Sequence, residues 1–197
     1  MTVALDADPS AAFAEGHSVA AQLVDAIAGV LAGRRDQIEV VVGCALAGGH
    51  VLIEDVPGVG KTLLAQSLAG ALDGSFRRVQ GTADLLPSDV VGSLTPDGDG
   101  FGLHFRPGPV FANIVLFDEL NRANARTQSA LLEVMEEAHV TVDGTTHAVP
   151  DPFVVIATQN PVEYEGTFPL PEAQLDRFAL RVSIGYPTAT DEAVMIR

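Results

Sequence analysis

One stretch limits the folds open to this 197-residue chain more than any other: "HVLIEDVPGVGKTLLAQSLAGAL", from His50 to Leu72. An apolar run ends in a glycine-bearing turn, and an apolar pattern at helical spacing starts directly after Gly60-Lys61-Thr62. Strand, glycine loop and helix in that order aim backbone N–H groups and the positive end of a helix dipole at one point, which is what a phosphate requires. Four further runs, "SFRRVQ", "NIVLFDE", "PFVVIATQ" and "FALRVSI", are short and rich in Val, Ile and Phe, with helices or long connections between them. Buried strands alternating with helices predict an α/β chain whose mostly parallel sheet is covered on both faces. Two segments depart from the alternation. "GSLTPDGDGFGLHFRPGP" and "AHVTVDGTTHAVP" set Pro, Asp and Gly between strand-like pieces, and both predict β-hairpins inserted into the α/β frame, the second around Asp143-Gly144.

Upstream of the loop the expectations are helical. Residues 1–16 read as a small-residue tail. From Ser18, taken as an N-cap, Val19, Leu23, Ile27, Val30 and Leu31 recur at helical spacing until Gly33, and "RRDQIEVVVGCALA" starts a second helix. The chain is long enough for a substantial core, placed here in one α/β domain over residues 17–187.

Charge and cysteine content narrow the function classes. Twenty-six acidic residues against eleven Lys and Arg leave a net charge of −15, which repels a phosphate backbone and disfavours sequence-independent nucleic-acid binding. Arg77 and Arg78 form a local basic patch, but such patches are sparse. No apolar run reaches membrane-spanning length, since "VVVGCALAGG" is bounded by Glu39 and His50. The first residues carry acids and no basic segment, against a secretory signal. The single cysteine, Cys44, excludes an internal disulfide and a cysteine-based cluster, and its Val and Ala neighbours predict a buried thiol rather than a nucleophile. The cytoplasm is the expected compartment.

Candidate chemistry lies at the strand ends. In the loop, N–H groups of Gly58 to Thr62 are placed for phosphate oxygens, Lys61 supplies a charge to the terminal phosphates, and the Thr62 hydroxyl suits Mg²⁺. The binding segment is taken as Pro57, Gly58, Val59, Gly60, Lys61, Thr62 and Leu63. The usual phosphate loop has glycine five places before Gly60, and here that place is Asp55. Aspartate tolerates left-handed backbone geometry, so the turn stays feasible, and the carboxylate would be unhelpful beside a triphosphate unless it points away. The bland alternative is a glycine-rich turn with an incidental lysine. The apolar run "NIVLF" delivers Asp118 and Glu119 to the ligand-binding end of a buried strand. Asp118 is the expected Mg²⁺ ligand and Glu119 the general base for an attacking water, against the alternative of two solvated acids. "PFVVIATQNP" ends in Asn160, either a water-fixing amide or a plain Asn-Pro turn. Arg177, just before the last strand, either stabilises charge on phosphoryl oxygens or pairs with Asp176 on the surface. Arg122 and Arg126 are rivals for that role. His17, His50, His104, His139 and His147 show no ligand spacing, and no metal beyond Mg²⁺ is assigned.

The ordered phrases "EDVPGVGKT", "LLPSDVVGS", "FRPGPVFANIVLFDELNRA", "LLEVMEE" and "FVVIATQNPVEYEGTFPLPEAQLDRF" resemble the MoxR family of AAA+ ATPases, from about Gly33 to the C-terminus. The resemblance implies an AAA+ P-loop NTPase core and an ATP-driven ring of identical subunits, usually hexameric. It further implies chaperone-like remodelling of partner proteins, commonly with a partner bearing a von Willebrand factor A domain. By position, Lys61 and Thr62 match the Walker A residues, Asp118 and Glu119 the Walker B pair, Asn160 sensor 1 and Arg177 the arginine finger. The hairpins at residues 92–107 and 139–149 match the helix-2 and pre-sensor-1 inserts, which face the ring pore in related proteins. The chain ends at "TDEAVMIR", where the family continues into a helical lid. Residues 188–197 would therefore only begin a largely missing lid, and the chain is expected to fold yet hydrolyse ATP poorly. Three other readings stay open: a nucleotide-gated module that only docks a partner, a DNA-handling motor, and a chelatase-type motor for metal insertion. The client protein is not named by the sequence.

Overall fold

The computed structural model describes residues 9–98, 102–162 and 166–185. Five strands, β1 (Val51–Glu54), β2 (Phe76–Gln80), β5 (Ile114–Asp118), β8 (Val154–Gln159) and β9 (Leu180–Val182), form one sheet in the order β2-β5-β8-β1-β9. Every neighbouring pair in it is parallel. The central strands β5 and β8 are buried at all but their last residue, as continuous apolar runs must be when helices cover both faces. The polar residues go to the rim: β2, "FRRVQ", is an edge strand and exposes Arg77, Arg78 and Gln80.

Strand alternation divides the interior in two. Val51, Ile53, Ile114, Leu116, Val154 and Ile156 face helices α1 (Pro9–Ala28), α2 (Arg35–Leu46) and α3 (Lys61–Ala71). Leu52, Val115, Phe117, Val155 and Ala157 face α5 (Ala125–Glu137), which contributes Leu131, Leu132 and Met135. Each of these side chains larger than alanine contributes about 1.5–3 kcal/mol when fully buried, so the strand ends that carry the polar residues rest on a rigid base. Asn124 caps α5, its Oδ1 accepting from the N–H groups of Arg126 and Thr127 at 3.1 Å each. His50 fastens the other end of β1. Its Nδ1 accepts from the Val155 N–H at 3.0 Å, so Nε2 carries the proton and donates to the Met135 carbonyl at 3.0 Å. Burial lowers its pKa and keeps the ring neutral.

Both hairpins occur as expected. After the five-residue α4 (Pro87–Val91), β3 (Gly92–Pro96) pairs antiparallel with β4 (Leu103–Pro107). β6 (His139–Val142) pairs with β7 (Thr145–Ala148). Asp143 and Gly144 both have positive φ, +49° and +76°, the twist a two-residue hairpin turn demands.

The N-terminal expectation needs correction. Helix α1 begins at Pro9, so the second half of the expected tail is helical and Ser18 lies inside the helix rather than capping it. Of the expected apolar period only Leu23, Ile27 and Leu31 are buried; Val19 and Val30 are exposed, and Phe13 is largely exposed. Residues 188–197, where the lid was expected to begin, lie outside the described residues. Among the described residues no helix is long and apolar enough to cross a membrane. Cys44 is half-buried, its thiol pKa raised by burial, and its Sγ–H points at the His50 carbonyl at 3.6 Å.

Candidate active site

The C-terminal ends of β1, β5 and β8 open onto a cavity of about 490 Å³. Pro57, Gly58, Gly60, Lys61, Thr62 and Leu63 line one side, and Asp118, Glu119 and Asn160 line the other, joined by Arg78 and Gln80 from β2. Val59, expected with the loop, turns its side chain into the core beneath it. Gly60 sits at φ +94° as the N-cap of α3, and a Cβ there would meet Leu31 and the Arg34 guanidinium. The loop thus presents its backbone to the cavity at the start of a helix, where partial positive charge collects.

Asp55 does point away from the cavity. Its buried Oδ2 accepts from the N–H groups of Ile184 at 2.6 Å and Gly185 at 2.9 Å, and from the Ser183 hydroxyl at 3.1 Å. It ties the end of β1 to the segment after β9. Its backbone is not left-handed, so the tolerance invoked for the turn is not needed. Lys61 Nζ donates to the Asp55 carbonyl at 2.9 Å. Behind the loop, buried Arg34 donates from Nη2 to the Gly185 carbonyl at 3.1 Å, with its Nε unpartnered. Sequence reading missed Arg34. The available signal was a cation at the start of a helix, where the dipole disfavours it.

The opposite side is built from side-chain partners. Asp118 Oδ1 accepts from the buried Thr158 hydroxyl at 2.6 Å, and Oδ2 from Arg78 Nη2 at 2.6 Å. The same Thr158 oxygen accepts from the Glu119 N–H at 2.9 Å. Glu119 is held at φ 56°, ψ 52°, a costly conformation for a non-glycine residue that clusters at functional sites. Gly81 permits it, because a Cβ there would collide with the Glu119 carbonyl. Gln80 Nε2 donates to Glu119 Oε2 at 2.8 Å, and Arg122 Nη1 lies 3.5 Å from the same oxygen. Asn160 is buried, and its Oδ1 accepts from the Val162 N–H at 3.1 Å. It is both the turn and the cavity-lining amide, and among the described residues its NH₂ has no acceptor.

Arg177 is not in this group. It follows the short helix α6 (Glu172–Leu175), and its Nη2 pairs at 2.8 Å with Glu136 on α5. Asp176, weighed as its surface partner, is not the ion pair seen. Arg126 lies on the first turn of α5 beside a hollow lined by Ala83, Leu86 and Pro87.

Lys61 and Thr62 on a helix start, opposite two carboxylates on a strand end, are what a nucleoside triphosphate site needs. The profile of the ATPase family associated with various cellular activities (AAA) matches residues 50–180. YeaC of Bacillus subtilis, described as uncharacterized, is 53% identical over 176 residues, covering 89% of this chain and 55% of that protein. The chaperone MoxR1 of Mycobacterium tuberculosis is 46% identical over 167 residues, 85% of this chain and 44% of that one. A crystal structure of a presumptive ATPase from Cytophaga hutchinsonii superposes with a TM-score of 0.83 at 41% identity, covering 95% of this chain and 58% of that one. The chain spans about half the length of the curated relatives it matches. The chain belongs to the MoxR family of AAA+ ATPases.

Proposed function

We propose that this chain binds and hydrolyses ATP and that the hydrolysis drives remodelling of partner protein complexes. The observation that carries the reading is the shared cavity: a phosphate-type loop on one wall and Asp118, Glu119 and Asn160 on the other. The loop N–H groups and Lys61 bind the phosphates, Lys61 leaving the Asp55 carbonyl to do so. The Thr62 hydroxyl and the Asp118 carboxylate are hard oxygen donors on the same cavity and fit Mg²⁺. They would hold it, and when bound it supplies positive charge to the phosphate oxygens. Glu119 accepts the proton of the attacking water, and the Asn160 NH₂ orients that water. Arg177, away from its own cavity and on the surface, serves the site of a neighbouring subunit in a ring. Partners of the kind the family commonly uses, a von Willebrand factor A domain protein and a client complex, follow from the same reading.

The test is Glu119→Gln. It removes the base and leaves Asp118 and the loop intact. Turnover is expected to fall by about 10²–10⁴, nucleotide affinity to stay near the parent's, and the ATP-held variant to retain client proteins that the parent releases. Turnover equal to the parent's contradicts the role given to Glu119.

A further inference from the structure

The open oxygen of Asp118 is already taken. Thr158 satisfies Oδ1, and the Arg78 guanidinium sits on Oδ2 at 2.6 Å. Arg78 and Gln80 share one face of the edge strand β2, and the Arg78 Nη2 that meets Asp118 also donates to Gln80 Oε1 at 3.1 Å. Arg78 therefore lines the cavity on the wall that holds the proposed cation ligand. Its own side chain is 48% exposed whereas that of Asp118 is 16% exposed. The carboxylate is fixed by the core, and the guanidinium on the open edge of the sheet is free to leave.

We infer that Arg78 is the resident counter-cation of Asp118, displaced when a divalent cation arrives with nucleotide. The inference rests on the reading of Asp118 as a cation ligand. Two cations on one carboxylate oxygen repel, so cation loading and release of Arg78 become one event, and each weakens the other by the same factor. Without a cation, Arg78 balances the charge of Asp118 and keeps it aimed. With one, the freed guanidinium remains within the cavity wall. Arg78 is in this sense a positioning residue that sets how much Mg²⁺ the site needs.

The experiment measures binding of a fluorescent ATP analogue by the full chain while Mg²⁺ is titrated, with no turnover required. Arg78→Gln is expected to lower the Mg²⁺ concentration for half-maximal binding by roughly five- to hundredfold, the usual span of such couplings. Arg78→Lys, which keeps a cation, should return that midpoint toward the parent's. Arg77→Gln is the control, because it removes the same charge from a neighbouring residue whose guanidinium meets the Phe76 carbonyl and does not line the cavity. Its midpoint should match the parent's. An unmoved Arg78→Gln midpoint, a rise in the Mg²⁺ required, or an equal shift in Arg77→Gln overturns the inference about Arg78 alone. A parent whose nucleotide binding ignores Mg²⁺ overturns the reading of Asp118, and the inference with it.

Discussion

The two walls of the cavity are made in different ways. The loop wall is contiguous in sequence, from Pro57 to Leu63, and offers backbone N–H groups and one lysine. The carboxylate wall is assembled from β2, β5 and β8, and each of its two carboxylate residues is held by side chains from other strands: Asp118 by Thr158 and Arg78, Glu119 by Thr158 and Gln80. A wall made of backbone tolerates substitution around it as long as the turn forms. A wall made of partnered side chains depends on the whole sheet. Affinity for phosphate and the rate of hydrolysis should therefore respond to different residues.

The largest separation is expected at Arg177. Its ion pair with Glu136 places it outside its own cavity, so it belongs with neither wall of its own subunit. Within assembled rings, Arg177→Ala should lower turnover by roughly 10³–10⁵, the worth of an arginine supplied in trans, with ATP affinity unchanged. Mixing it with Lys61→Ala should restore part of the rate, because one subunit's intact loop then meets the other's intact arginine. Parental turnover in Arg177→Ala rings would move the role to Arg122 or Arg126.

A smaller effect sharpens the same contrast from the loop side. Asp55→Gly restores the usual loop residue and yet removes the acceptor for three donors after β9. It should cost about 1–3 kcal/mol of stability, read as a lower midpoint in urea unfolding. Residual folded protein should still bind nucleotide. A gain in stability would mean Asp55 is a loop residue after all, not an architectural one.

The smallest effect lies beneath both walls, at His50. Its folded pKa is lowered by burial, so the folded state binds fewer protons than the unfolded state below about pH 6.5, the unperturbed value. Stability is then complete above that pH and falls as acid is added, by up to about 1.4 kcal/mol for each pH unit until the lowered pKa is reached. His50→Gln keeps a donor and an acceptor without titrating. Thermal unfolding at pH 7.5 and 5.5 should show a steeper loss in the parent than in the variant, and identical slopes would contradict the neutral-ring assignment.

The same division governs what the sequence made legible. The loop, the Asp118-Glu119 strand end, the Asn160 turn and both hairpins were readable because each is a local pattern: an apolar run, then a residue that breaks it. Thr158, Arg78 and Gln80 were not, because their roles depend on strand order. β2 lies beside β5 only after the chain has made the whole β3–β4 hairpin between them. Glu136 as partner of Arg177 is likewise a meeting of α5 with the turn after α6. The start of α1 was hidden for a different reason: its first turns carry no apolar period, and residues 13–19 are exposed.

The central claim is that one cavity holds a triphosphate by its loop wall. The most direct measurement is a titration of a fluorescent ATP analogue, with Mg²⁺ present, against the parent and Lys61→Ala. Losing the one charged donor on the loop is expected to weaken binding by at least roughly ten- to hundredfold, with the unfolding midpoint unchanged. Equal affinity in the two proteins would contradict the assignment of this cavity as the nucleotide site.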